Sequence, residues 1–274
     1  MAKKAPRSVE AEQDEALAWE ARKAALCRSP IVIGAAELLR HADVKPSMLV
    51  EASIPAGAIT LIVGEPGAKK SWLAYSLAIA TARSSEWLGR RATPQGRTSN
   101  VLVLNYDNPT PECGRRFKRL GLTEQDSIFF HSVEIDPLRL PECTDDVRAI
   151  VAELKPSLVI ADSFRQSHDA DENSSKEMAE VMGSYKSLCA NGCAVVIVHH
   201  AGKGALTTGV GKARGSGEIP ASADAMIVVA KSDDADVDLA TWEKHRSWAL
   251  SDLDATQRFR LIDEGDSTRL ELEA

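Results

Sequence analysis

Short apolar runs alternate with longer stretches of helical spacing through most of the chain. The apolar runs occupy residues 58–63, 101–104, 158–161, 194–198 and 225–230. They are apolar at successive positions, which is typical of strands buried on both faces of a parallel sheet. Residues 127–131 form a weaker candidate strand.

Stretches with helical periodicity separate these candidate strands. They occupy residues 71–82, 111–120, 145–154 and 174–189. In the last stretch, Ser174 and Glu177 have the spacing of a capping box, and the apolar residues behind them recur at i, i+3 and i+4. Strands that alternate with helices predict an α/β fold, in which a central, mostly parallel sheet is flanked by helices and joined by right-handed crossovers.

The two ends of the chain differ from this middle part. Residues 1–30 are rich in Ala, Glu, Lys and Arg, and Pro30 ends the stretch. We interpret it as an arm that is either solvated and partly ordered or a helix docked on a neighbouring subunit. Residues 239–274 alternate apolar and polar positions around a turn at 263–266, which predicts small antiparallel strands. The predicted organisation is an arm at 1–30 and one domain at 31–274 that ends in this β extension.

Composition narrows the class of protein. The 274 residues are 44% hydrophobic and 27% charged, which is compatible with a sizeable buried core. A net charge of −7 excludes a uniformly basic nucleic-acid coat protein and leaves a local basic channel possible. Five cysteines without paired spacing favour reduced thiols. Since no apolar run could span a bilayer and the N-terminus lacks an apolar signal core, we expect a soluble, cytoplasmic protein without a membrane partner.

A candidate phosphate-binding loop follows the first apolar run. Its sequence is Gly64-Glu65-Pro66-Gly67-Ala68-Lys69-Lys70-Ser71. This matches the G-x-x-x-x-G-K-[ST] pattern except that Lys69 replaces the last glycine. In such a loop the backbone N–H groups surround phosphates, Lys70 reaches the β- and γ-phosphates, and the Ser71 hydroxyl binds Mg²⁺. The sequence therefore predicts ATP and Mg²⁺ as cofactors; the alternative is a Gly/Pro turn before a helix with two exposed lysines.

Two carboxylates follow other predicted strands. Asp162 ends the run at 158–161, where a Walker B carboxylate would hold the magnesium shell. Asp107 follows the run at 101–104 by three residues, where it could orient an attacking water. The alternatives are that Asp162 caps the next turn and that Asp107 forms a turn before Asn108 and Pro109.

Together these segments resemble the RecA-like P-loop ATPases of the RepA type, which are hexameric helicases of plasmids and phages and include AAA-type ATPases of mobile elements. The resemblance covers roughly residues 45–232. It rests on Gly-Glu-Pro-Gly-Ala-Lys-Lys-Ser-Trp-Leu-Ala (64–74), Leu-Asn-Tyr-Asp-Asn-Pro (104–109), Ile-Ala-Asp-Ser-Phe-Arg (160–165), Val-His-His-Ala-Gly-Lys (198–203), Ala-Arg-Gly-Ser-Gly (213–217) and Ser-Ala-Asp-Ala (222–225). It implies that the loop through Trp72 binds the nucleotide.

The resemblance also implies roles for single residues. Members of the group often carry a larger residue before Lys-Ser, so Lys69 is compatible with the family. They usually carry Glu where this chain has Asp107, and the shorter side chain is expected to slow hydrolysis or to place the water differently. His200, or alternatively His199, would sense the γ-phosphate. Arg214 would act as an arginine finger in the site of a neighbouring subunit. The alternatives are a histidine bonded to backbone and a solvated loop arginine.

A glycine-rich segment at 201–217 is the candidate DNA contact. In related motors, loops at this position face a central channel, so Lys203 and Lys212 would make non-specific contacts with the phosphates of single-stranded DNA. The alternative is a loop without a ligand. A second basic cluster, Lys244-His245-Arg246, resembles one that follows the core in relatives and is a weaker candidate for a nucleotide or DNA contact.

The resemblance thus implies an ATP-hydrolysing motor that forms a ring-shaped homo-oligomer, most simply a hexamer, and acts on single-stranded DNA, as a RepA-type replicative helicase does. The alternative is a nucleotide-gated DNA-binding or assembly module with little turnover. A P-loop kinase of a small metabolite is disfavoured, because such kinases usually carry an arginine-rich lid.

Overall fold

The computed structural model describes residues 17–19, 33–42, 44–94, 98–202, 213–234, 236–246 and 255–273. The chain divides into two compact units, Met1–Pro46 and Ser47–Ala274. In the first unit, helix α1 (Ala35–His41) buries none of its side chains. The boundary that the sequence predicts at residue 30 lies outside the described residues.

The second unit contains the α/β domain. Its strands are β1 (Met48–Val50), β2 (Ile54–Pro55), β3 (Ile59–Gly64), β4 (Glu86–Trp87), β5 (Arg90–Arg91), β6 (Val101–Asn105), β7 (Ile128–Ser132), β8 (Leu158–Asp162), β9 (Ala194–His200), β10 (Ala225–Lys231), β11 (Asp238–His245), β12 (Thr256–Asp263) and β13 (Thr268–Leu272). Its α-helices are α2 (Lys70–Arg83), α3 (Thr110–Arg119), α4 (Thr144–Leu154), α5 (Ser175–Leu188) and α6 (Glu218–Ser222).

Nine of these strands form one mixed sheet in the order β13-β12-β11-β10-β3-β9-β8-β6-β7. The pairs from β10 through β7 are parallel, and the pairs β10–β11, β11–β12 and β12–β13 are antiparallel. The predicted fold class, a mostly parallel sheet with small antiparallel strands at the C-terminal end, is confirmed.

Helices cover both faces of the parallel strands, which explains why those strands are mostly apolar. Ile62 of β3 packs into a core with Leu73 and Leu77 of α2. Its neighbours Leu61 and Val63 point to the opposite face and pack into the core that contains α4 and α5. Because alternate residues of a strand face opposite sides of the sheet, a strand covered on both sides is apolar at most positions on both faces.

Two local predictions need correction, a strand boundary and a capping box. The strand predicted at 194–198 extends to His200, so both histidines lie within β9 and not beyond it. The predicted capping box is only half formed: the Ser174 hydroxyl accepts a hydrogen bond from the backbone N–H of Glu177 (3.4 Å). The Glu177 carboxylate, however, accepts from the N–H of Asp171 (2.9 Å), so it secures the loop before the helix.

In the antiparallel extension, the alternating burial that the sequence predicts is clear in β11, whereas most positions of β12 and β13 are at least partly exposed. Along β11, buried positions such as Trp242 alternate with partly exposed ones. Phe259 of β12 is fully buried, and Asp263 pairs with Thr268 across the predicted turn. The extension is therefore half-buried, unlike the parallel strands. Among the described residues, none of the helices is both long enough and apolar enough to cross a membrane.

Candidate functional site

The glycine-rich loop lies at the carboxyl end of β3, in the middle of the sheet. Gly64 pairs with His200 of β9 on one side and with Val229 of β10 on the other. A Cβ atom at Gly64 would lie 2.4 Å from the Val229 carbonyl oxygen, so only glycine fits there. In parallel α/β sheets ligands bind at this edge, outside the carboxyl ends of the strands.

The loop reaches the first turn of α2 through two residues in the left-handed region. Gly67 has φ +81°, and Lys69 has φ +58° and ψ +17°. The Lys69 carbonyl accepts the first helical hydrogen bond, from the N–H of Leu73 (3.0 Å). A non-glycine residue in this conformation costs about 1 kcal/mol. Lys69 therefore adopts a conformation that glycine takes freely, at an energetic cost.

Lys70 is folded into the loop and does not extend into solvent. Its side chain is buried, and Nζ donates a hydrogen bond to the Glu65 carbonyl (2.8 Å). Burial lowers the pKa of Lys70, whereas the charges of Asp162 and Asp107 raise it. Lys70 thus lies beside both predicted carboxylates, in the position from which a lysine reaches nucleotide phosphates.

Asp162 is a buried carboxylate at the end of β8, and only 2% of it is exposed. Burial raises its pKa, while hydrogen bonds from the hydroxyls of Ser71 and Tyr75 lower it. Within the described part of the chain, its Oδ2 atom is buried without a hydrogen-bond partner. A carboxylate oxygen with free acceptor capacity beside a serine hydroxyl suits Mg²⁺, which prefers oxygen ligands. Ser71 and Asp162 therefore fit the predicted metal.

Asp107 approaches the same edge from β6, the strand next to β8. The backbone N–H of Tyr106 donates to the Asp162 carbonyl (2.7 Å), which ties the two strand ends together. Asp107 is exposed, and its charge acts on Lys70, Asp162 and His200. The structure therefore brings it to the site as a solvated carboxylate.

The two histidines of β9 point to different environments. Burial lowers the pKa of His200, the charge of Lys70 lowers it further, and the charge of Asp107 raises it. The His200 ring is therefore close enough to both residues of the site to feel their charges. His199 is buried, its Nε2 lies 2.8 Å from the Arg214 carbonyl, and its ring packs edge-on against Phe164. His200 is thus the histidine that faces the site, and His199 supports the backbone.

Arg214 lies at the rim of this region. Its side chain is 61% exposed, and Nε lies 3.4 Å from Oε2 of the buried Glu172. Its guanidinium therefore pairs with Glu172 within the same chain. Lys203 and Lys212 lie outside the described residues, but the residues that bracket their segment, Ala201 and Ala213, form an antiparallel bridge.

Trp72 and the second basic cluster take structural positions. The Arg116 guanidinium lies 6.0 Å from the centre of the Trp72 ring, a cation–π distance. Lys244 Nζ donates to the Pro220 carbonyl (2.7 Å), and Arg246 donates to the carbonyl of Ala221 (2.6 Å). The cluster thus satisfies carbonyl groups of α6 within its own chain.

Three residues that the sequence did not single out contact the site residues. The Tyr75 hydroxyl bonds to Asp162 and lies 3.6 Å from the Cys113 sulfur. Glu172 holds Arg214, and Asp238 of β11 holds Lys69, with Nζ 2.8 Å from Oδ2. Tyr75 falls on the loop-facing turn of a predicted helix, which is a usable signal. Nothing in the sequence marks Glu172 as the partner of Arg214 or Asp238 as the partner of Lys69, since the two members of each pair are far apart along the chain.

Comparison with known proteins supports the same fold. The AAA domain family (AAA_25) matches residues 32–205, more than half of the chain. The crystal structure of the flagellar accessory protein FlaH from Methanocaldococcus jannaschii superimposes with a TM-score of 0.53 at 18% sequence identity, over 81% of this chain and 93% of that one. At this identity the likeness concerns the fold alone. With it, the RecA-like class predicted for the sheet is confirmed.

Proposed function

Because the chain belongs to the AAA domain family, with a P-loop ATPase domain of RecA-like fold, we propose that it is an ATP-hydrolysing, ring-forming motor that acts on single-stranded DNA. The observation that carries the ATPase part is the buried Lys70, bonded to the Glu65 carbonyl beside Asp162 and Asp107. A buried ammonium at the end of a loop of backbone N–H groups matches the charge of a triphosphate.

Lys70, Ser71 and Asp162 form the phosphate- and metal-binding part of the proposed site. On ATP binding, Lys70 exchanges the Glu65 carbonyl for oxygens of the β- and γ-phosphates, a stronger, charge-assisted contact. Mg²⁺, when bound, supplies further positive charge to these phosphates. Ser71 and Asp162 would hold it, because the Oδ2 atom of Asp162 is free of partners among the described residues.

Asp107 and His200 are the candidates for handling the attacking water. Asp107 accepts a hydrogen bond from the water and orients it toward the γ-phosphorus, so that the bond to the leaving ADP breaks in line. His200, whose pKa lies below its ordinary value, is neutral at pH 7 and can donate one hydrogen bond to a phosphate oxygen. Since Asp107 is exposed, we expect slow turnover in the absence of a partner.

Arg214 supports the ring proposal. Its exposed guanidinium stands at the rim of the sheet edge, where it can meet the nucleotide of a neighbouring copy. A planar cation there would stabilise the charge that develops on the transferred phosphoryl group. A closed homo-oligomer, which we take to be a hexamer, supplies every site with such an arginine.

The segment with Lys203 and Lys212 supports the DNA part. It leaves the sheet just after His200 and returns at Ala213, and the bridge between Ala201 and Ala213 fixes both of its ends beside the nucleotide site. The residues that bracket the lysines are thereby tied to the strand that carries His200, and the Arg214 N–H donates to the His200 carbonyl (3.1 Å). Their contacts with the DNA backbone would be independent of sequence, as a translocating replicative helicase requires.

The second candidate is a nucleotide-gated DNA-binding or assembly module with little turnover. The exposure of Asp107 favours it, because a solvated carboxylate is a weak base for an attacking water. In this case ATP binding alone, without hydrolysis, would control DNA binding by Lys203 and Lys212.

Steady-state ATP hydrolysis with Mg²⁺, measured with and without single-stranded DNA, tests the proposal. A motor shows turnover that DNA stimulates, whereas a nucleotide-gated module binds ATP tightly and turns it over negligibly in both conditions. Absence of ATP binding would contradict both candidates. Mass measurement of the particle with a non-hydrolysable ATP analogue and DNA tests the ring.

A further inference from the structure

The residue that departs from the phosphate-loop pattern has a specific partner. Lys69 Nζ forms an ion pair with Oδ2 of Asp238 at 2.8 Å, across the sheet from the loop to the first residue of β11. The Asp238 side chain is only 2% exposed, whereas that of Lys69 is 30% exposed. A carboxylate buried to this degree needs a compensating charge, and the loop lysine supplies it.

The pair lies where it can act on the loop. Lys69 is the residue immediately before α2, and it holds a left-handed conformation that glycine adopts freely and lysine does not. A side chain anchored at its far end has fewer conformations available, which favours the one backbone geometry compatible with the anchor. Drawn toward Asp238, the Lys69 ammonium is also drawn away from the site that Lys70 occupies.

We propose that Asp238 is a positioning residue for nucleotide binding: by holding Lys69, it keeps the last turn of the phosphate loop in the shape that a glycine would otherwise provide. This inference rests on the proposed ATP binding and adds that the antiparallel extension is part of the site. Strand β11 would then hold the phosphate loop in shape in addition to packing in the sheet.

A double-mutant cycle on the full-length protein tests this idea, with a fluorescent ATP analogue titrated in the presence of Mg²⁺. Asp238→Asn keeps the shape of the side chain and removes its charge, and we expect it to raise the Kd about tenfold. Lys69→Gly supplies the ordinary loop residue, which needs no anchor. In the Lys69→Gly background, Asp238→Asn should therefore leave the Kd within about twofold.

Two variants separate positioning from other effects. Lys69→Arg retains a cation for Asp238 and should bind the analogue with nearly the wild-type Kd. Lys231→Ala removes the exposed lysine that pairs in register with Asp238 on β10, and it should leave the Kd unchanged. Thermal unfolding of every variant shows whether it is folded at the titration temperature.

Other outcomes would overturn the proposal, and one would separate it from the proposed motor. An unchanged Kd in Asp238→Asn would mean that the pair does not position the loop. An equal rise in both Lys69 backgrounds would mean that Asp238 acts independently of Lys69. A similar rise in Lys231→Ala would mean that any change in the pairing of β10 with β11 weakens binding. If Lys69→Gly weakens binding whichever residue stands at 238, Lys69 contacts phosphate directly. Wild-type protein that binds ATP without DNA-stimulated turnover refutes the motor and leaves this inference standing, whereas failure to bind refutes both.

Discussion

The phosphate loop and the segment around Arg214 lie at the same edge of one sheet, yet they are built in opposite ways. On the loop side, Lys70 and Asp162 are buried, and Tyr75 links Asp162 to a polar network with Cys113 and Asn105. On the other side, Arg214 is 61% exposed and is held by an ion pair with Glu172. One half of the site is thus fixed by the core of a single chain, and the other half faces outward.

We expect this difference to separate nucleotide binding from hydrolysis. Charges that are buried before the ligand arrives have already lost their hydration, so their contacts with phosphate are strong. The exposed guanidinium of Arg214 is still hydrated, and Glu172 has Arg165 as a second neighbouring cation, so Arg214 can change partners. Substitutions on the loop side should therefore act on nucleotide affinity, and those on the Arg214 side should act on the rate of hydrolysis.

The largest effect is expected from Lys70→Ala. Removal of the buried ammonium leaves Asp162 uncompensated and takes away the main phosphate contact, so affinity for ATP should fall at least about 100-fold. Equilibrium titration with a fluorescent ATP analogue measures the change. Lys118→Ala, which removes an exposed lysine of α3, is the matched control. Unchanged affinity in Lys70→Ala would contradict the phosphate-loop assignment.

The Arg214→Ala variant should sharpen the comparison, because it leaves the loop side intact. We expect turnover to fall about 1,000-fold, the lower end of the contribution of arginine fingers, with ATP affinity nearly unchanged. Coupled-assay kinetics measure both quantities.

Mixing Arg214→Ala with Lys70→Ala tests whether the arginine acts between subunits. A subunit with an intact loop can then meet the intact Arg214 of a neighbour, so activity should recover in the mixture although each variant alone is inactive. If no ratio of the two proteins restores turnover, the arginine does not act in trans.

Asp107→Asn should have a smaller effect than Arg214→Ala. The carboxylate is exposed and therefore a modest base, so its loss should slow hydrolysis about tenfold, below the usual contribution of a general base. Binding of ATP should persist, because the negative charge of Asp107 repels the phosphates and is not needed to hold them. Single-turnover hydrolysis in the Asp107→Asn and wild-type proteins measures the ratio, and a loss of affinity in place of rate would assign Asp107 to binding.

The smallest expected effect is a loss of stability at low pH, caused by buried histidines. Burial lowers the pKa of both His168 and His199 to about 4. Unfolded histidines have a pKa near 6.5, so between about pH 6.5 and about 4 the unfolded chain binds more protons and the free energy of unfolding falls as pH falls. The unfolding temperature should drop by several degrees from pH 7 to pH 5 and by less in His168→Gln. An equal drop in both proteins would mean that other groups cause it.

Much of the fold follows from the sequence because its signals are local. The strands β3, β6, β8, β9 and β10 each read as an apolar run, and the loop at Gly64 carries its own pattern of glycines and lysines. The end of β9 was missed because His199 and His200 are polar, and two polar residues after an apolar run look like the start of a loop. Helix α1 and the short strands β1 and β2 offer too few residues for a periodic signal.

The site divides along the same line. Lys70, Ser71, Asp107 and Asp162 were predictable because each follows a recognisable strand, and the carboxyl ends of parallel strands meet at one edge. The pairs Lys69–Asp238 and Arg214–Glu172 depend on how distant segments register in the sheet, which local patterns do not specify. For the same reason the partner of Lys69 could not be predicted from the sequence, and the structure pairs it with Asp238.

The two ends of the loop differ in how replaceable they are. At Gly64 even a methyl group would collide with the main chain of β10, whereas a long side chain is accommodated at Lys69. A motif search that insists on a glycine just before the lysine will overlook nucleotide sites built in this manner. A search for such sites should keep the first glycine and accept a cation at the last position. It should also require an acidic residue at the start of the first antiparallel strand, as Asp238 is here.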